Sequence, residues 1–205
     1  MSKNNTRTCW VLKCDIQKFF ASIDHEVLIA ILQGYILDKS VLRLLEKVIG
    51  SFSSIKPRVG LPLGNLTSQL LVNIYMNEFD QFVKHKLRAK YYIRYADDFV
   101  ILSADRSQLR EQISSIESFL FEKLKLTLHP NKISIQTLAS GVDFLGWVQF
   151  LNYRILRTTS KRRMLKRIQE HATSETLNSY LGLLKHGKTQ KLQKEISRWY
   201  LLNKT

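Results

Sequence analysis

The pattern of apolar and polar positions divides the chain into strand-like and helix-like segments. Short apolar runs predict strands at 9–14, 132–136, 144–150 and 153–156. Apolar residues at helical spacing predict helices at about 25–36, 39–49, 66–87 and 107–125. Residues 51–64 have the glycine, proline and serine density of a loop, and the chain after residue 160 is typical of basic helices.

A hairpin is predicted at 90–103, and it contains two neighbouring carboxylates, Asp97 and Asp98. Such a pair is common in a solvated turn, whereas buried carboxylates need a compensating partner. A third carboxylate, Asp15, ends the first apolar strand. It favours buried carboxylates with a compensating partner over a pair in a solvated turn. If these strands are neighbours, three carboxylates converge at one sheet edge, which predicts a site for divalent cations.

Strands and helices interleave along the chain without regular βαβ spacing. This order predicts the α+β class, with an antiparallel sheet and helices on one of its faces. The 205 residues and the hydrophobic fraction of 44% suit one sizeable core with an appendage.

The charge of the chain points to a polyanionic partner. The formal net charge is +15, and residues 153–205 carry 13 Lys and Arg against 3 Asp and Glu. Nucleic acid is therefore favoured over a membrane as the partner. Two divalent ions held by carboxylates clamp the oxygens of phosphoryl transfer, so the pattern favours a nucleic-acid polymerase or nuclease.

The cysteines and histidines add no further site. Cys9 and Cys14 form neither a disulfide framework nor a zinc motif, and the five histidines are scattered. No signal peptide and no membrane-spanning run is visible. We expect a cytoplasmic protein that does not bind membranes.

Five segments then resemble, in order, the motifs of the reverse transcriptase family: CDIQKFFASIDH, LPLGNLTSQ, YADD, LTLHPNKIS and FLGW. The resemblance covers residues 10–150 and implies a right-hand polymerase palm over 1–153, followed by a basic helical thumb over 154–205. It implies an RNA-directed DNA polymerase with two Mg²⁺ ions, Mn²⁺ being the alternative. The implied partners are an RNA template, a DNA or RNA primer, deoxynucleotide triphosphates and a retroelement accessory protein.

The resemblance also assigns roles by position. Asp15, Asp97 and Asp98 match the catalytic metal ligands. The positions that match nucleotide-binding residues are Phe20, Leu63, Gly64, Asn65, Gln69 and Lys132. Phe20 corresponds to the gate against ribose, and Lys132 to a lysine that assists pyrophosphate departure. The alternative roles are a core aromatic for Phe20, a helix N-cap for Asn65 and a solvated lysine for Lys132.

A second group of positions matches primer and template contacts. They are Tyr95, Phe144, Leu145, Gly146, Trp147, Lys161, Arg162 and Arg163. For residues 144–147 the alternative is an edge strand with a glycine bulge.

Departures from the common motifs indicate a subgroup. Leu63 and Gln69 stand where many relatives have glutamine and proline, and this form resembles the reverse transcriptases of diversity-generating retroelements. The segment SYLGLLKHG resembles the thumb of the same group, which copies RNA with frequent errors at adenine. Group II intron-type reverse transcriptases are the alternative.

The family normally places a fingers region before the first motif, where this chain has about a dozen residues. The expectation is a truncated, split or minimal member, so we expect the isolated chain to be weak or inactive. A non-catalytic RNA-binding remnant is therefore the alternative function.

Overall fold

The computed structural model describes residues 8–54 and 56–203. These residues fall into two compact units, one up to Ile135 and one from Gln136 onward. The division into a palm over 1–153 and a thumb over 154–205 stays a prediction. Residues 1–7 of the predicted palm and 204–205 of the predicted thumb lie outside the described residues.

A four-stranded sheet carries the predicted hairpin. Its strands are β1 (Trp10–Cys14), β2 (Tyr91–Tyr95), β3 (Asp98–Ser103) and β4 (Ser134–Thr137), in the order β2-β3-β1-β4. Strand β3 pairs antiparallel with both β1 and β2. The predicted first strand and the predicted hairpin are confirmed.

Four helices accompany this sheet: α1 (His25–Tyr35), α2 (Lys39–Gly50), α3 (Leu66–Gln81) and α4 (Arg106–Leu124). The Asp24 side chain accepts the Val27 N–H at 3.0 Å, so the predicted N-cap is confirmed. The helix predicted at 66–87 is α-helical up to Gln81 and continues as a π-helical turn, Phe82–Lys86.

The main core lies between one face of the sheet and helices α3 and α4. Phe79 of α3 packs edge-on against Phe99 of β3, with ring centres 4.9 Å apart, and both residues are fully buried. Each fully buried aromatic side chain contributes roughly 1.5–3 kcal/mol. On β2 the alternation places Tyr91, Ile93 and Tyr95 on an exposed face. The predicted α+β class is confirmed.

The second unit joins a three-stranded antiparallel sheet to three helices. The strands are β5 (Val142–Phe144), β6 (Trp147–Gln149) and β7 (Arg154–Leu156), and the helices are α5 (Thr158–Glu170), α6 (Ser174–Leu184) and α7 (Gln190–Asn203). Their own core contains Met164, Ile168, Leu184, Leu192 and Ile196. The predicted basic helices are confirmed.

The prediction of one strand at 144–150 is wrong. The chain reverses at Leu145 and Gly146, whose φ angles are +53° and +79°, and β5 pairs with β6 across this turn. Glycine adopts such angles without strain, so Gly146 allows a tight turn inside an otherwise apolar run.

Both cysteines are buried and free of a disulfide. Across residues 8–54 and 56–203, no helix combines the length and the apolar character needed to cross a membrane.

Candidate active site

Asp15, Asp97 and Asp98 gather at the ends of neighbouring strands. Asp15 directly follows Cys14, which pairs with Phe99, and Asp98 directly precedes Phe99. Asp97 lies in the two-residue loop between β2 and β3, next to Asp98. The antiparallel register therefore brings together two catalytic candidates that lie far apart in the sequence.

The electrostatics show that these carboxylates share one environment. Burial raises the pKa of Asp97 above its usual range, and the negative charge of Asp15 raises it further. Burial likewise raises the pKa of Asp98, to which the charges of Asp15 and Asp97 add. Two lysines, Lys13 and Lys132, act in the opposite direction on Asp98.

The cationic partner of Asp15 is Lys132. Its Nζ donates a hydrogen bond to Asp15 Oδ2 at 2.9 Å, and this bond raises the pKa of Lys132. Lys13 Nζ lies 4.0 Å from Asp98 Oδ1. Lys132 is therefore not merely a solvated lysine, because its ammonium pairs with Asp15.

The donor chemistry of this edge fits a divalent cation. Carboxylate oxygens are the preferred ligands of Mg²⁺, and Asp15 already binds a cationic group. As the side chains stand, however, the described residues contain no group of three His, Cys, Asp or Glu that could hold a metal ion. A metal ion at Asp15 Oδ2 would replace the Lys132 ammonium there.

A partly buried ion pair supports the loop that carries Asp97. Arg94 donates from Nε to Asp80 Oδ1 at 2.8 Å and from Nη2 to Asp80 Oδ2 at 2.6 Å. The Tyr92 hydroxyl donates to the same Oδ1 at 2.6 Å. This bidentate pairing with Asp80 fixes the guanidinium in position, since both hydrogen bonds are charge-assisted.

The third nitrogen of the Arg94 guanidinium, Nη1, binds the loop itself. Its Nη1 donates to the carbonyl of Ala96 at 3.2 Å, and Ala96 has a φ of +51°. A non-glycine residue in this region is strained, and such strain persists where the surroundings hold it. Arg94 therefore holds the residue that immediately precedes Asp97.

The sequence predictions did not include Arg94 or Asp80, although one signal was available. Period-two alternation places Arg94 on the same face of β2 as Tyr92, which packs on the core. A charged residue on a core-facing position requires a partner. The identity of that partner, Asp80, does not follow from spacing.

The predicted nucleotide-binding positions around the start of α3 are exposed. They are Leu63, Gly64, Asn65 and Gln69. Asn65 occupies the N-cap position but its side chain makes no capping hydrogen bond. Gly64 has a φ of +88°, with open space around the position of a Cβ. The Asn65 side chain therefore does not cap helix α3 by a hydrogen bond.

Phe20 lies in a short 3-10 helix, Phe19–Ser22, and is half-buried. Phe19 is buried, and the two rings meet edge-on with their centres 5.5 Å apart. The Leu61 N–H donates to the Phe20 carbonyl at 2.8 Å, which ties the predicted loop to this segment. The role of Phe20 as a gate stays a prediction.

The residues predicted to contact the primer differ in how exposed their side chains are. Tyr95 is 65% exposed and pairs with Asp98 across the hairpin. In the second unit Phe144 and Trp147 are buried, whereas Leu145 is 48% exposed at the turn between β5 and β6. The backbone N–H of Arg157 donates to the Gly146 carbonyl at 3.0 Å and so holds this turn.

The three cations predicted to contact the template lie on α5. Arg162 and Arg163 are exposed and Lys161 is half-buried. Among the described residues, the ion pairs of the second unit are Arg157–Asp143 and Lys166–Glu170, and none of the three cations takes part in them.

Comparison with known proteins agrees with the site. The family described as reverse transcriptase (RNA-dependent DNA polymerase) matches residues 1–149. An antiparallel sheet with carboxylates at one edge, in a chain that matches this family over most of its length, has the palm-like α+β fold of a polymerase. The chain belongs to the reverse transcriptase family.

Individual relatives are distant and longer. The chain is 24% identical to the putative COX1/OXI3 intron 2 protein of Saccharomyces cerevisiae, over 90% of this chain and 30% of that protein. It is also 24% identical to the group II intron-encoded protein LtrA of Lactococcus lactis subsp. cremoris, over 85% of this chain and 39% of LtrA. The chain thus spans well under half the length of these relatives.

The fold resembles that of a solved telomerase. The structure of telomerase from Candida albicans in complex with a TWJ fragment of telomeric RNA has a TM-score of 0.56 and 14% identity to this chain. The match covers 98% of this chain and 41% of the telomerase chain. At this identity the likeness concerns the fold alone.

Proposed function

We propose that the chain is the catalytic core of an RNA-directed DNA polymerase. The observation that carries this proposal is the gathering of Asp15, Asp97 and Asp98 at one sheet edge in a member of the reverse transcriptase family. The reaction is attack of a primer 3′-hydroxyl on the α-phosphate of a deoxynucleotide, with release of pyrophosphate.

The family generally uses divalent metal ions, and we propose Mg²⁺, two ions, with Mn²⁺ as a substitute. Such ions supply charge stabilisation for the attacking and leaving oxygens when bound. Asp15 and Asp97 would hold them, and Asp98 would support the pair. The Lys132 ammonium, which donates a hydrogen bond to Asp15, would donate a proton or a hydrogen bond to departing pyrophosphate.

The proposed substrate contacts lie at positions that are exposed or half-buried. Phe20 limits the space for a ribose 2′-hydroxyl, and the backbone at Gly64 and Asn65 faces the nucleotide at the start of α3. The RNA template and the primer contact Tyr95, the turn at Leu145 and Gly146, and the cations Lys161, Arg162 and Arg163. Residues 1–153 act as palm and 154–205 as thumb, in a cytoplasmic protein.

The test is primer extension on a primed RNA template with Mg²⁺ and deoxynucleotides. The 205-residue chain is assayed alone and with a fingers region supplied, and extension is expected chiefly in the second case. Asp97→Asn should abolish extension while RNA affinity stays within about twofold, because it removes a metal ligand and no phosphate contact. Asp38→Asn is the matched control, since asparagine caps α2 about as well as aspartate.

A second candidate is a non-catalytic RNA-binding protein. It is favoured by the arrangement of the described carboxylates, which form no ready three-ligand group while Lys132 holds Asp15. RNA binding without extension, under every combination of Mg²⁺, Mn²⁺ and supplied fingers, would establish this candidate and exclude the polymerase.

Two subgroups compete within the polymerase proposal. Leu63 and Gln69 favour an error-prone enzyme of the diversity-generating type with an accessory protein, and the similarity to LtrA favours the group II intron type. Sequencing the extension product separates them. Errors concentrated at template adenines, and reduced by Leu63→Gln, support the first subgroup, whereas accurate copying at adenine supports the second.

A further inference from the structure

The second unit presents a pair of stacked aromatic rings at the turn between β6 and β7. The rings of Phe150 and Tyr153 lie 4.8 Å apart between centres, at an angle of 19°, and the Phe150 N–H donates to the Tyr153 carbonyl at 2.8 Å. A Cβ at Gly141 would lie 2.8 Å from Phe150, so this ring is packed closely on the backbone. Tyr153, which is 45% exposed, is therefore a supported ring that faces solvent.

The connection between α6 and α7 is fixed beside this ring. The Lys188 N–H donates to the Arg154 carbonyl at 2.8 Å, and Arg154 Nε donates to the His186 carbonyl. Gly187 lies so close to Trp147 that a Cβ would be 2.2 Å from the indole ring. These contacts place the Lys188 ammonium 5.0 Å from the centre of the Tyr153 ring.

Two open cavities adjoin the ring, with volumes of about 840 and 550 Å³. Both are lined by Tyr153, Lys188 and Gln190. The other cations that line them are Arg154, Lys161, Lys185 and Lys191. Within the described chain, Glu195 is the acidic residue among the lining side chains, and the two ion pairs of this unit include none of these cations.

An exposed ring among cations that take part in no ion pair of the described residues matches one class of ligand. Single-stranded nucleic acid offers flat bases that stack on an aromatic ring and phosphates that attract lysines. A duplex offers phosphates but no free base face at its side. An exposed cation–π contact is weaker than base stacking, so a base can replace the Lys188 ammonium over the ring.

We propose that this surface, called here the Tyr153 surface, binds a single-stranded segment of nucleic acid. It comprises Tyr153, Arg154, Lys161, Lys185, Lys188 and Lys191. A base stacks on Tyr153, and the Lys188 ammonium moves to a neighbouring phosphate. The inference rests on the proposed function in taking RNA as the nucleic acid, but it does not require catalysis.

The test measures binding by the full chain without metal or nucleotides, so that a failure of polymerisation cannot affect it. Fluorescence anisotropy compares a labelled single-stranded RNA of about 12 nucleotides with the same RNA annealed into a blunt duplex. Tyr153→Ala should weaken single-strand binding about tenfold and duplex binding less than twofold. Tyr153→Phe, which keeps the ring, should bind like the original chain.

Matched variants test the cations and the fold. Lys188→Gln and Lys191→Gln together should weaken binding and lower the salt dependence, whereas Lys166→Gln, whose lysine pairs with Glu170, should change neither. Tyr35→Ala removes a tyrosine of the first unit that is 66% exposed, more than the 45% of Tyr153, and should leave affinity unchanged.

Two outcomes would overturn the proposal. One is an unchanged single-strand affinity in folded Tyr153→Ala. The other is an equal loss on the single strand and the duplex, which would show a phosphate-binding surface without stacking. If Tyr153→Ala fails to fold, the comparison of the lysine variants on the two probes decides, because stacking with a local phosphate contact predicts a larger loss on the single strand.

Discussion

Lys132 Nζ and Asp15 Oδ2 form a hydrogen bond of 2.9 Å between residues 117 positions apart in the chain. The Asp15 side chain is 10% exposed and that of Lys132 is 52% exposed, so the lysine closes the solvent side of a buried carboxylate. The charge that a divalent ion would neutralise is thus already partly neutralised by the protein. A divalent ion bound to Asp15 would compete with the lysine for the same carboxylate.

Removing Lys132 should therefore strengthen divalent-ion binding. We expect Lys132→Met to lower the dissociation constant for Mn²⁺ about fivefold, since two unit charges at about 4 Å interact by roughly 1 kcal/mol in a water-like medium. Titration of the chain with Mn²⁺, followed by electron paramagnetic resonance of the free ion, measures this change.

Lys47→Met, at an exposed position of α2, is the matched control and should leave the Mn²⁺ affinity unchanged. Weaker Mn²⁺ binding in Lys132→Met would show that the lysine organises the site instead of competing for it.

The pairing of Arg94 with Asp80 should be essential to the loop that holds Asp97. Asp80→Asn leaves the Arg94 guanidinium, whose side chain is 9% exposed, without its charged partner. We expect the free energy of unfolding to fall by about 3 kcal/mol, at the lower end for a broken buried pair because Asp80 is 29% exposed. Urea denaturation followed by circular dichroism measures this loss.

Tyr92→Phe is the control within the same network, because it removes one hydrogen bond to Asp80 and leaves the ion pair. It should cost about 1 kcal/mol. A similar cost for both variants would mean that Arg94 finds adequate solvation without Asp80, and that the pair does not hold the loop.

The residues that could be predicted from the sequence are those whose local context fixes their place. Asp15 and Asp98 each adjoin an apolar strand, so pairing of the strands brings them together. Helix α1 follows its N-cap, Asp24, because the capping bond spans three residues. In these cases short-range chemistry and the apolar pattern agree.

The remainder depends on contacts between distant segments. Nothing near Lys132 in the sequence identifies Asp15 as its partner, and nothing near Arg94 identifies Asp80. The turn at Leu145 and Gly146 was missed because the flanking residues are apolar on both sides. Leucine at a positive φ contradicts its local preference, so packing and the turn hydrogen bonds decide there.

Phe20 should discriminate against ribonucleotides if it lies beside the incoming sugar. Phe20→Ala removes a half-buried ring and should admit ribonucleotides into a product that the original chain builds from deoxyribonucleotides. Incorporation is measured by alkaline cleavage of the extension product. Phe20→Tyr keeps the bulk and should keep the discrimination, whereas equal discrimination by Phe20→Ala would reduce Phe20 to a packing partner of Phe19.

Two glycines of the segment SYLGLLKHG should respond in opposite directions to alanine. A Cβ at Gly187 would meet the Trp147 ring at 2.2 Å and the Arg154 carbonyl at 2.9 Å, so Gly187→Ala should destabilise the second unit by about 1–3 kcal/mol. A Cβ at Gly182, inside α6, would meet nothing within 4 Å. Gly182→Ala should therefore stabilise the helix by about 0.5–1 kcal/mol.

Thermal unfolding monitored by circular dichroism measures both changes, and each variant serves as the control for the other. The opposite signs would show that the second glycine of this segment is needed for close packing on Trp147 and not for backbone freedom. Equal stabilisation by both alanines would mean that the connection between α6 and α7 moves away from Trp147 without cost. The fixed position of Lys188 beside Tyr153 depends on the same contact, so this result would also weaken the case for a preformed Tyr153 surface.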